Sequence, residues 1–341
     1  MTLDHNNLIW SKTKPAPMKI VITASIPWFE PAITELQMKY RDIEFVSPKI
    51  ESEIDREIKT AEAAVIINWN QKLHRTAKNM KWLQFLTGGI NKSLFHEFTN
   101  SSISATSLKP LFATAGAEFG LAAMLMFSRR LNYIKRQHLS NPPLDMWPQV
   151  PEPEDLSGKT VGIIGFGYMG KELARKASSL GLNVLATART RPLEYEWITE
   201  FYPLDNLHDL LKLSDYVIVA VPETEKTINL VNKSFLESMK SNSFLIDISG
   251  RGSIYNFNDL VTSITEQEIA GVCLQTPLDS DDLSIPKSSS EFWTRENVVL
   301  SPKRITSVDM EDQIRTFYKK NVDRFVKNMP LLGLVNKQEG Y

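Results

Sequence analysis

The sequence predicts an α/β protein of two lobes, each a parallel sheet covered by helices. Three observations predict it. Short β-branched runs alternate with segments of helical spacing along most of the chain, the pattern of parallel strands joined by helical crossovers. This alternation comes in two series separated by residues 141–153, where Pro142, Pro143, Pro148, Pro151 and Pro153 prevent regular structure. A length of 341 residues is sufficient for two hydrophobic cores.

In the first series, Lys19-Ile20-Val21-Ile22-Thr23 suits a buried strand. Residues 31–40 are expected to be helical, 44–46 a strand and 53–60 a helix. Ala63-Ala64-Val65-Ile66-Ile67 and Trp82-Leu83-Gln84-Phe85-Leu86 are further strands, the last ending in the turn Thr87-Gly88-Gly89. Residues 116–131 then form a helix that is apolar nearly all round, a pattern expected of one buried between layers or lobes. In the second series, strands are expected at 160–164, 183–187, 216–221, 243–247 and 298–300, with a helix at 171–180. A last helix, 309–328, has no local partner and is expected to pack back on the first lobe. The expected organisation is therefore 1–115 as the first part of one domain, 116–301 as a second domain, and 302–341 as a return to the first.

Composition narrows the function. The 39 basic and 40 acidic residues leave a charge of −1, which argues against nucleic acid or an anionic membrane as the partner. No apolar stretch is expected to reach the roughly 18 residues that span a bilayer. The single cysteine, Cys273, excludes an intrachain disulfide and fits a reducing cytoplasm. The polar start lacks the features of a secretory signal.

The strongest motif is Gly165-Phe166-Gly167-Tyr168-Met169-Gly170, which follows an apolar strand and opens a helix. In that setting the first glycine permits a tight turn, the second lets backbone approach a diphosphate, and the third lets helix and strand pack closely. The helix start adds free N–H groups and partial positive charge. This is the phosphate grip of a Rossmann-type dinucleotide domain. The next strand ends in Thr187-Ala188-Arg189-Thr190-Arg191, with no carboxylate to accept from a ribose 2′-hydroxyl. Arg189 and Arg191, flanking Thr190, suit a 2′-phosphate instead, so NADP(H) is favoured and NAD(H) is possible.

Several motifs together resemble the D-isomer-specific 2-hydroxyacid dehydrogenases, a group that includes glyoxylate/hydroxypyruvate reductases. They are residues 156–165 leading into the glycine turn, Ser214-Asp215-Tyr216-Val217 with Pro222 and Thr227 beyond, and Asp247-Ile248-Ser249-Gly250-Arg251-Gly252. Upstream, Ala117-Glu118-Phe119-Gly120-Leu121 and Thr87-Gly88-Gly89 also match. The resemblance implies two Rossmann-like or flavodoxin-like lobes with the active site in the cleft between them, a nicotinamide coenzyme, and a homodimer. It implies that Val221, Pro222, Thr227, Ile248 and Ser249 line the coenzyme, and that Gly88 and Gly89 hold the substrate carboxylate through backbone amides. Arg251 takes the place of the family's substrate arginine, since a guanidinium can grip both the carboxylate and the C2 oxygen of a 2-oxo acid.

Two positions depart from the family. Its proton-transferring histidine follows a proline, and here the pair is Pro302-Lys303; none of His5, His74, His96, His138 and His208 stands there. The glutamate that orients this histidine is missing from Val272-Cys273-Leu274-Gln275-Thr276-Pro277-Leu278, leaving Gln275 or Asp279 as substitutes. Lys303 keeps a proton donor. The expected activity is reduction of a small 2-oxo acid with Arg251 and Lys303 as catalytic residues. The alternatives are a silent dinucleotide-binding relative, or hydride transfer to an imine or a specialised ketone. Trp69, Trp82, Phe85 and Trp147 are candidates for a larger pocket or for core packing.

Overall fold

The computed structural model describes residues 17–23, 27–139, 151–191, 196–276, 291–302 and 309–340. The first series folds as β1 (Met18–Ile22), α1 (Glu30–Lys39), β2 (Ile43–Val46), α2 (Glu51–Glu57), β3 (Ala63–Ile66), α3 (Gln71–Thr76), β4 (Trp82–Phe85), α4 (His96–Thr99) and β5 (Ser104–Thr106). Its five strands are all parallel in the order β2-β1-β3-β4-β5, the order of flavodoxin-like sheets. Helices α5 (Phe112–Ser128) and α6 (Leu131–Leu139) follow.

The second series folds as β6 (Thr160–Ile164), α7 (Tyr168–Ser179), β7 (Asn183–Thr187), β8 (Glu200–Tyr202), α8 (Leu207–Leu213), β9 (Tyr216–Val219), α9 (Lys233–Glu237), β10 (Phe244–Asp247), α10 (Phe257–Thr265), β11 (Gly271–Thr276) and β12 (Val298–Pro302). The seven-stranded order β12-β11-β10-β9-β6-β7-β8 is parallel throughout. The chain reverses direction across the sheet between β6 and β9, and ligands bind beyond the strand ends at such a switch point. Strands β5, β8 and β11 are not predicted by the sequence pattern. The first two are three residues long, too short for a periodicity to declare itself.

Helix α5 begins four residues earlier than expected. Residues 109–128 are, by length and composition, long and apolar enough to cross a membrane, contrary to the expectation above. Ala117, Met124 and Phe127 on this helix nevertheless join the core of the second sheet, with Gly120 against Leu173 of α7 and against Ile248. The helix ends where Arg130 takes φ +56°.

The last helix, α11 (Met310–Val326), returns to the first sheet. Met310, Ile314, Phe317, Tyr318 and Val322 pack with Phe29, Trp82 and Leu108. The buried amide of Asn321 ties this return down: its Nδ2 donates to Gln84 Oε1 and to Leu332 O, and its Oδ1 accepts from Leu332 N. Gln84 Oε1 in turn accepts from Thr106 Oγ1, which accepts from Trp82 Nε1. Such a satisfied polar chain fixes one arrangement of the core. Trp69, Trp82 and Phe85 are fully buried in the cores of the first lobe; Trp147 and most of the proline-rich stretch lie outside the described residues.

Candidate active site

At the end of β6, Gly165 takes φ +99°, a backbone state L side chains rarely adopt. A Cβ there would also sit 2.7 Å from Ala220 O, and one at Gly170 would sit 2.1 Å from Gly165 O. At Gly167 a Cβ would meet nothing within 4 Å. Two glycines thus let the backbone close on itself, while the middle one faces open space at the start of α7, where Lys171 N is the first amide bonded back to Gly167 O. Free amides beside open space at the start of a three-turn helix suit a diphosphate, so the residues present fit a dinucleotide. Beside them, Val221 touches the turn at Gly165, and Thr227 Oγ1 donates to Pro222 O and accepts from Thr224 N, which shapes the loop after β9.

The loop after β10 is organised by Asp247. Its Oδ1 accepts from Ser249 N at 2.8 Å, Ser249 Oγ at 2.6 Å and Gly250 N at 3.2 Å. Gly250 takes φ +62°, and the chain turns to present Arg251. Burial pushes the Asp247 carboxyl up to about 6 against the pull of these donors, and burial together with this carboxylate pushes the Tyr255 phenol well above its ordinary value. Ser249 therefore spends its hydroxyl on Asp247, and the side chain of Ile248 is fully buried under α5.

Arg251 reaches across to the first lobe. A Cβ on Gly89 would lie 2.7 Å from Arg251 Nη2, so the guanidinium sits directly against the Gly89 backbone and a side chain there would push its end aside. The turn carrying Gly89 is held by Thr87, whose Oγ1 donates to Gly89 O and whose carbonyl accepts from Leu108 N. Arg251 makes no salt bridge among the described residues, which leaves its fork available to a carboxylate or carbonyl oxygen.

The glycine turn thus lies at the switch point of the second sheet, and Arg251 faces a glycine loop of the first lobe. A profile of the "D-isomer specific 2-hydroxyacid dehydrogenase, NAD binding domain" matches residues 121–303.

The chain belongs to the D-isomer specific 2-hydroxyacid dehydrogenase family.

It is 29% identical over 298 residues to a glyoxylate reductase of Pyrococcus horikoshii, across 83% of this chain and 85% of that one. In fold it is similar to an NADPH-dependent glyoxylate/hydroxypyruvate reductase from Sinorhizobium meliloti solved with NADP and sulfate. The TM-score is 0.77 at 20% identity, covering 95% of this chain and 100% of that one. It is also similar to an acyclic imino acid reductase solved with NADPH and D-Arg, with a TM-score of 0.72 at 18% identity, covering 93% and 100%.

Against this family background, the described structure adds two residues that no motif singled out. The first is Lys109, in the turn that leads into α5. Its Nζ is shielded from solvent, and burial, with Arg251 nearby, brings the ammonium down to about 8. The second is Glu339, near the C-terminus, which forms an ion pair with Arg189 at the end of β7. Thr190 and Arg191 beside it are exposed. Gln275 is buried at the end of β11, level with Ser301 of β12, and its Oε1 has no partner among the described residues. Lys303 and Asp279 lie outside the described residues, although Lys303 directly follows the end of β12. Cys273 is buried in β11, where burial pushes its thiol up to about 12, the state of an unreactive sulfur.

Neither Lys109 nor Glu339 had a local signal. A lysine before a proline and a glutamate in a polar tail look like surface residues until the fold brings Arg251 and Arg189 to them.

Proposed function

We propose that this chain is an NADP(H)-dependent reductase of small 2-oxo acids of the glyoxylate, hydroxypyruvate or aryl-pyruvate class, with NAD(H) as the lesser coenzyme. The observation that carries this reading is Arg251, which follows β10 of the dinucleotide sheet and lies against Gly89 of the first lobe. The coenzyme supplies the hydride when bound. The chain's own part is to hold the acid and to deliver a proton to its C2 oxygen, so that the carbonyl becomes a hydroxyl.

Arg251 takes the carboxylate and the C2 oxygen, with the amides of Gly88 and Gly89 on the other side of the carboxylate. Lys109 adds a second positive charge near Arg251; a bound anion relieves the repulsion between these cations. Lys303, in place of the family histidine, is the proton donor. The names of the Pyrococcus relative and the Sinorhizobium structure, glyoxylate reductase and NADPH-dependent glyoxylate/hydroxypyruvate reductase, support both the acceptor class and the coenzyme.

A second reading keeps hydride transfer and changes the acceptor to an imine. It is favoured by the loss of the histidine–glutamate pair together with the likeness to an acyclic imino acid reductase. One experiment separates the two. Purified protein is given NADPH and a panel of 2-oxo acids, alone and with ammonia or an amine. Turnover of the acids alone, lost in Lys303→Ala, is the expected result; turnover only with amine selects the imine. Coenzyme binding without turnover on either panel selects the silent relative. We further propose a homodimer in the cytoplasm, with the chain crossing between domains near residues 116 and 302; light scattering and limited proteolysis address the assembly and the crossings.

A further inference from the structure

The end of β7 carries Arg189 and Arg191 and no acidic residue, which by itself favours a coenzyme with a 2′-phosphate. The fold brings a carboxylate to that place from 150 residues further along the chain. After α11, Gly333 O accepts from Ser107 N, Val335 N donates to Ala105 O, and Leu334 bridges Thr106 antiparallel at the edge of the first sheet. Lys337 then plugs the end of the short helix α4. Its Nζ donates to the carbonyls of Phe98 at 3.0 Å, Ser101 at 2.7 Å and Ile103 at 2.8 Å. Asn336 closes the last turn by accepting at its backbone oxygen from the amides of Glu339 and Gly340. The strap is thereby anchored wholly on the first lobe.

Its tip crosses to the second lobe. Glu339 pairs with Arg189, and a Cβ on Gly340 would lie 4.0 Å from Thr224 Cγ2, in the loop between Pro222 and Thr227. These two contacts flank the place where the ribose of the adenosine half would sit beyond the end of β7. Arg189 and Glu339 are 40% and 43% exposed, so as a surface ion pair the contact contributes little to folding. Its position is what matters.

We infer that Glu339 is a coenzyme-discriminating residue: its carboxylate occupies Arg189 and repels a ribose 2′-phosphate, so the C-terminal strap weakens NADP(H) binding while leaving NAD(H) unpenalised. This rests on the dinucleotide reading above and sharpens it: Glu339 narrows the advantage that the arginines give NADP(H) over NAD(H) without reversing it. A 2′-phosphate must displace Glu339 from Arg189, whereas a 2′-hydroxyl can donate to the same carboxylate, as it does to an acidic residue at the end of this strand in NAD-binding sheets. The discriminating acid is thus supplied by the first lobe, through the strap, and so depends on the contact between the two lobes.

The test uses the full chain and equilibrium titration with NADPH and with NADH, followed by intrinsic fluorescence and by calorimetry. Glu339→Gln is expected to tighten NADPH by about fivefold, the scale of one like charge removed from a half-exposed site, and to leave NADH unchanged or slightly weaker. The gain is expected to shrink with added salt and to vanish when Arg189→Gln is combined with Glu339→Gln. Equal effects on both coenzymes, or none on either, would overturn the inference while leaving the dinucleotide reading standing. Failure of the unmodified chain to bind either coenzyme would remove that reading, and this inference with it.

Discussion

The two sides of the cleft are built in different ways. On the dinucleotide side, one stretch of six residues does most of the work: Gly165, Gly167 and Gly170 shape the backbone, and α7 begins at once. On the proposed substrate side, Gly89 follows β4, Lys109 precedes α5 and Arg251 follows β10, so three segments from two lobes meet there. A local site depends on backbone geometry and tolerates little change within it. An assembled site depends on charge balance between distant side chains, and single changes alter its tuning before they abolish it.

The largest effect is expected on the local side. Gly170→Val places atoms where a Cβ alone would already be 2.1 Å from Gly165 O. The backbone cannot yield as a flexible side chain does, so overpacking should cost about 1–3 kcal/mol of stability. Thermal melts and NADPH titration are expected to show a lower melting temperature and loss of coenzyme binding. Retained binding would show that the turn is not the phosphate grip, and the contrast between the two sides would break.

A smaller effect is expected at Lys109, with a clear sign. Its ammonium is brought down to about 8 by burial and Arg251; as pH rises through that value the second positive charge disappears. The apparent kcat/KM for the acid is expected to fall above pH 8, mainly through KM. Lys109→Arg should move that fall to higher pH, and Lys109→Met should raise KM about tenfold without weakening NADPH. A profile unchanged in both variants would place Lys109 outside the substrate site.

The smallest effect is expected at Asp247, which acts on Arg251 only by holding its loop. Its carboxyl is raised by burial to about 6, so the folded chain holds the proton more tightly than the unfolded one. The associated stability is fully present below the ordinary carboxylate value of 3.8 and is lost as pH rises through about 6. Asp247→Asn is expected to flatten that part of the melting-temperature profile. It should also lower kcat modestly, since an amide accepts fewer of the three hydrogen bonds. A melting profile that keeps its slope between pH 4 and 6 in the variant would assign the slope to other groups.

The parts of this protein that were legible in the sequence share one property: their signal is carried by neighbouring residues. The strand runs at Ile20, Val65 and Ile163, the glycine turn and the Gly-Arg-Gly segment around Arg251 belong to this class. The return of α11 was also legible, because an apolar stripe without a local partner must find one elsewhere. Short strands such as β5 and β8 were not legible, since three residues cannot show alternation. The start of α5 was misplaced because Phe112 to Ala115 form helix without a capping side chain to mark it.

The amino-acid order by itself determined two parallel-sheet lobes, the glycine turn that opens α7 and the Gly-Arg-Gly turn after β10, because backbone conformation and hydrophobic period act over a few residues. Only the tertiary structure decided that Lys109 lies near Arg251 and that Glu339 lies on Arg189. Those meetings depend on Coulomb and desolvation energies, which act through space between residues far apart in the chain.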